Sequence, residues 1–96
     1  MDVLTASQIL RRVSPKFPIE FSGLFGSVAR GDSDQGSDVD VFAVFEDGHR
    51  LSDEVEFRCE LEDAFERPVD LVTTLDGASA MFRRELEQDM VISYAR

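Results

Sequence analysis

With 96 residues, of which 43% are hydrophobic and 31% charged, the chain reads as one globular domain over residues 1–96 and not as a disordered tail. Twenty acidic residues against ten Lys and Arg give a net charge of −10, which argues against direct nucleic-acid binding and against docking on anionic membrane. No apolar run approaches the ~18 residues of a membrane span, no signal-peptide pattern opens the chain, and one Cys allows no disulfide framework, so a cytoplasmic protein with a buried Cys59 thiol is expected.

Thr5-Ala6-Ser7-Gln8 has capping-box spacing, and Ile9, Leu10 and Val13 follow it. This predicts a short opening helix, stopped by Pro15 and Pro18. Ile19–Phe25 is β-branched and aromatic, with Ile19 and Phe21 alternating around Glu20, and predicts a first strand. Residues 26–37 are rich in Gly, Ser and Asp and too polar for a core. Residues 38–45 (DVDVFAVF) form the clearest strand pattern. His49 falls in a turn and is expected at the surface.

Leu51–Phe65 carries Leu51, Val55, Cys59, Leu61 and Phe65 near helical period, with Arg67-Pro68 ending the helix. Glu54, Glu56, Glu60, Glu62, Asp63 and Glu66 read as its wet face. Residues 69–73 (VDLVT) predict a third strand, and residues 78–88, with Met81, Phe82 and Leu86, another helix. Residues 90–94 fit either a short edge strand or an ordered tail. Most of the Phe residues fall at apolar-face positions and are expected in the core.

This order predicts an α/β (α+β) fold, a small mixed sheet of three to four strands with helices packed on it. About ten residues between the first two strands is short for a parallel crossover, so that pair is expected antiparallel. The helix between the second and third strands suits a right-handed parallel crossover. Gly26-Ser27, Asp38/Asp40 and Asp70 then meet at one end of the sheet.

Period-two geometry points Asp38 and Asp40 to one face, roughly 6–7 Å apart along the strand. Asp70 sits in a strand pattern where Asp is disfavoured and has no turn role to explain it. Three such carboxylates suit Mg²⁺ or Mn²⁺ better than zinc. A pair of those ions ~3.5–4 Å apart supports in-line displacement at phosphorus. Gly26 lets a backbone N–H approach a phosphate, the Ser27 hydroxyl can donate to the same oxygen, and Arg30 can face phosphate or pin the Asp-rich loop.

Taken singly, each feature has an ordinary reading: a strand-to-turn junction, a surface Arg, an Asp70 paired with Arg67. A calcium loop starting at Asp32 fails, because its sixth position is Ser37 and its twelfth is Ala43.

Together, Gly26-Ser27-Val28-Ala29-Arg30-Gly31, five residues, and Ser37-Asp38-Val39-Asp40 resemble the GSxARGx5SDxD signature of the minimal nucleotidyltransferases, in the DNA polymerase β-like superfamily. The likeness covers about residues 19–94, with Asp70 similar to the family's third carboxylate. The resemblance implies the nucleotidyltransferase fold and transfer of a nucleoside monophosphate to a hydroxyl with release of pyrophosphate. It implies Gly26 and Ser27 on the triphosphate, Asp38 and Asp40 on two Mg²⁺ ions, and Asp70 completing a metal site or activating the attacking hydroxyl. ATP as substrate and a HEPN-domain ribonuclease toxin as partner follow from the same resemblance, within a homodimer or hetero-oligomer. The alternative is a catalytically weak or inactive module that neutralises a basic toxin by masking it.

Overall fold

The computed structural model describes residues 1–32, 34 and 36–96. Ser33 and Gln35, in the polar stretch expected between the first two strands, lie outside the described residues. The elements run α1 (Val3–Val13), a 3-10 turn (Ser14–Lys16), β1 (Ile19–Phe25), α2 (Gly26–Arg30), β2 (Val39–Phe45), α3 (Leu51–Phe65), β3 (Val69–Val72), α4 (Ala80–Asp89) and β4 (Val91–Ala95). Helix α1 begins earlier than its capping-box spacing suggests: Asp2, not Thr5, is the N-cap, and its carboxylate accepts the Thr5 N–H.

The four strands form one mixed sheet in the order β3-β2-β1-β4. β1 pairs antiparallel with β2, and β2 parallel with β3, as the connection lengths require. The ambiguous C-terminal segment is a strand, β4, antiparallel to β1. Gly23 explains how closely the two approach. A Cβ there would lie 2.7 Å from the Val91 carbonyl oxygen, and the pairing register shifts between Ser22 and Gly23.

Helices α1 and α3 cover one face of the sheet, where Ala6, Leu10, Val13, Leu24, Val41, Phe57 and Leu61 pack into the main core. Two hydroxyl pairs cross this core, Ser7 with Ser93 at 2.8 Å and Ser14 with Ser22 at 2.7 Å. Truncating one member of a buried pair strands the other. Ser22→Ala is therefore expected to cost about 1–2 kcal/mol, and Ser14→Ala/Ser22→Ala less than the sum of its singles, in a denaturant double-mutant cycle. The opposite face carries Phe25, Phe42 and Leu86, with Phe21, Val44, Phe82 and Met90 partly buried around them.

Three side-chain placements differ from expectation. On α3, Phe57, Leu61 and Phe65 face the core while Leu51 and Val55 are exposed. Cys59 lies exposed as well, not buried. The periodic set chosen by spacing mixed two faces of one helix, and the bulkier Phe side chains take the inner one. His49 is half-buried, not exposed: it stacks on Phe45 with ring centroids 4.8 Å apart and shares a hydrogen bond with Glu54 at 2.7 Å. Within the polar stretch, residues 26–30 form α2, and Val28 is fully buried.

Candidate active site

Strand register brings the expected residues to one end of the sheet. Phe25, the last residue of β1, lies opposite Asp40, and Asp40 lies opposite Asp70 on β3. Gly26 follows directly at a left-handed φ of 70°, and a Cβ placed there would fall 2.2 Å from Asp40 Oδ2. The Asp40 carboxylate thus occupies the space that the absent side chain leaves.

Asp38 stands just before β2, exposed, and Asp70 is exposed on β3. Among the described residues, no three acidic, His or Cys side chains are close enough together to enclose an ion, so the carboxylates do not form a closed cage. Their chemistry fits a hard divalent cation nonetheless. Burial raises the Asp40 pKa, the charges of Asp70 and Asp38 raise it further, and Arg30 works in the opposite direction. Such a pattern marks like charges gathered on oxygen-only donors, where a cation at that point relieves the repulsion.

The sign of the pH effect follows. A raised native pKa means that the folded metal-free protein binds a proton at Asp40 before the unfolded chain does. Stability contributed at this site therefore falls as pH rises through the window above the ordinary value of 3.8. Asp2 and Asp34 shift the other way, each held down by hydrogen bonds, so total stability mixes both trends. Subtracting the pH-stability curve of Asp40→Asn from that of the native chain, both in EDTA, is expected to leave a component that declines with rising pH. A flat difference removes the proposed repulsion.

Arg30 closes the site from the side. Its guanidinium meets Asp32 at 3.3 Å and Asp89, the last residue of α4, at 2.9 Å. It pins both the loop and α4, and its own pKa is raised, first by Asp89 and then by Asp32. Linear spacing does not join Asp89 to Arg30, 59 positions away. One signal was present: an acidic residue at a helix C-terminus opposes the macrodipole and calls for a cation. Arg67 donates to the Asp34 carbonyl at 3.0 Å, and no ion pair joins it to Asp70 among the described residues. A depression of about 510 Å³ around Glu46, His49 and Arg50 lies beyond the other end of β2 and is remote from these carboxylates.

Comparison with known proteins bears on the family and the fold. The family model described as polymerase beta, nucleotidyltransferase, matches residues 7–96. A Methanocaldococcus jannaschii chain named "putative protein adenylyltransferase" is 32% identical over 73 residues, covering 73% of this chain and 78% of its own. A solved "putative minimal nucleotidyltransferase" superposes with a TM-score of 0.72 at 27% identity, over 95% of both chains. Two toxin–antitoxin complexes share the fold. One, with AMP-PNP, has a TM-score of 0.69 at 23% identity over 100% of this chain and 75% of that chain. The other, a tri-AMPylated Shewanella oneidensis HEPN toxin with its MNT antitoxin, has a TM-score of 0.67 at 21% identity over 100% and 74%.

Proposed function

The chain belongs to the polymerase beta nucleotidyltransferase family, and from that premise we propose that it moves AMP from ATP to a hydroxyl of a partner protein in the cytoplasm. The observation that carries the reading is the Gly26–Asp40–Asp70 juxtaposition, a glycine turn with left-handed φ set against carboxylates in register on neighbouring strands. Asp38 and Asp40 hold divalent ions, Mg²⁺ or Mn²⁺, with Asp70 as a further ligand or as base. When bound, such ions neutralise the triphosphate and polarise the α-phosphorus. Gly26 brings its backbone N–H, and Ser27 its hydroxyl, toward the phosphate oxygens.

In the transfer, the acceptor oxygen forms a bond to the α-phosphorus as the bond from that phosphorus to the pyrophosphate oxygen breaks. Asp70 takes the hydroxyl proton and returns it to water, and pyrophosphate leaves. Arg30, held between Asp32 and Asp89, fixes α2 so that Gly26 and Ser27 keep their aim.

A partner of the HEPN toxin class is supported by the complexes that share the fold. Incubating the chain with α-labelled ATP, Mg²⁺ and its co-purifying partner tests the reading. Label on the partner that disappears in EDTA is expected. An unlabelled partner, or equal labelling by Asp38→Asn/Asp40→Asn, overturns it.

A further inference from the structure

We propose that the outer edge of β3, with the groove between it and α3, docks the acceptor as an added strand. The occupant is an extended segment of a partner protein, flanked by basic residues, that presents its hydroxyl beside Asp70. The proposal rests on the transfer reading above and names the class of acceptor that the site takes.

β3 is an edge strand, so one side of its backbone faces away from the sheet. The Val39 N–H donates to the Pro68 carbonyl, whereas the Val69 N–H turns away from β2 and donates to the Glu62 carboxylate at 3.0 Å. In a parallel ladder, alternate residues turn their polar groups to the same side, so the N–H and C=O of Leu71 also point outward. Glu62 satisfies the first outward donor. Among the described residues, no hydrogen bond serves the Leu71 backbone on that side. An open edge of this kind is the template for strand addition.

Beside it runs a groove of about 220 Å³ lined by Leu51, Glu54, Val55, Arg58, Leu71 and Thr73. Leu51 and Val55 are 74% and 56% exposed, so its apolar wall is unpartnered. Glu54 is held at its rim by the Thr73 hydroxyl and by His49. Period two then fixes what the added strand presents. Leu71 faces α3 and Asp70 the other side, so one residue of the added strand fills the groove while its neighbour lies on Asp70's face. Adjacent strands run about 4.7–4.9 Å apart, which places that neighbour's side chain next to the carboxylate. The hydroxyl residue is therefore adjacent in sequence to an apolar one.

Charge selects the occupant. Two copies paired edge to edge would bring together chains of −10 each and crowd their Asp70 carboxylates, whereas a basic segment meets Asp70, Glu54 and the acidic face of α3.

The probe is the peptide Lys-Lys-Val-Leu-Tyr-Val-Lys-Lys with the full-length chain. Two counterparts are N-methylated at alternate residues, one in each frame. The parent peptide is expected to slow hydrogen exchange of the Leu71 amide ten-fold or more, and only one methylated frame to retain that protection. Val55→Asn, at an exposed position, is expected to raise KM for the peptide as AMP acceptor at least ten-fold while KM for ATP stays constant. An unprotected Leu71, protection by both frames or by neither, or an unchanged peptide KM overturns the proposal. Concentration-dependent protection without peptide gives the edge to a second copy and overturns it too. AMP transfer to other hydroxyl acceptors without Leu71 protection defeats the docking alone. Protection with no transfer to any acceptor supports the docking and defeats the transfer reading.

Discussion

Asp40→Asn is expected to cut AMP transfer by on the order of 10³-fold or more while raising the melting temperature of the metal-free protein by a few degrees. The two signs come from one cause. In the transfer reading, Asp40 is a metal ligand, so an amide in its place weakens charge neutralisation of the triphosphate. In the metal-free protein the same carboxylate is half-buried beside Asp70 and Asp38, a placement that raises its pKa and costs stability while it is ionised. Transfer rates and melting curves in EDTA check both halves. Loss of activity with a lowered melting temperature points to unfolding instead, and unchanged activity removes Asp40 from the chemistry. Mg²⁺ is expected to raise the melting temperature of the native chain more than that of the variant, because only the native chain has the full carboxylate set.

Gly26→Ala is expected to lower stability by about 1–3 kcal/mol and transfer by about 100-fold. Two separate penalties meet there. An Ala must hold the left-handed φ of 70°, and its Cβ falls 2.2 Å from Asp40 Oδ2. The carboxylate has to rotate out of position or the turn has to open, and in the transfer reading either change would separate phosphate from the metal-holding carboxylates. Gly31→Ala is the matched comparison. It has a similar φ of 81° but nothing within 4 Å, so it carries the backbone strain without the collision. Stability losses by urea denaturation should be larger at position 26 than at 31, and the loss of transfer confined largely to position 26. Equal effects at the two positions would mean that the Gly26–Asp40 contact contributes nothing.

The parts of the site written in local pattern were readable from the chain. The period-two pair Asp38 and Asp40, the short link from β1 to β2 and the helical link to β3 together placed Gly26, Asp40 and Asp70 at one sheet end, and the strand register does so. What escaped depends on choices that spacing cannot make. Leu51, Val55 and Cys59 recur every four residues, but so do Phe57, Leu61 and Phe65. Only packing against the sheet decides which set is covered. Val28 hides at the head of a stretch rich in Gly, Ser and Asp, and its burial depends on α2 folding back over the sheet. The Arg30–Asp89 pair joins residues that nothing in the linear pattern connects. The strand at 91–95 competed evenly with a tail reading because its partner, β1, lies far upstream.

The contact between Gly23 and β4 also limits how this protein can diverge. With the Val91 carbonyl only 2.7 Å from where a side chain would begin, and with backbone on the other side of the contact, no rotamer change makes room. Neutral drift can reshape the exposed residues of α3 by small steps. At position 23 there is no first small step. A lineage that replaces this glycine must also re-lay β4 against β1, and β4 follows directly on the Asp89 end of α4 that grips Arg30. An inconspicuous strand glycine is thus tied to the placement of the Gly26-Ser27 turn, and change there arrives only with compensating change elsewhere.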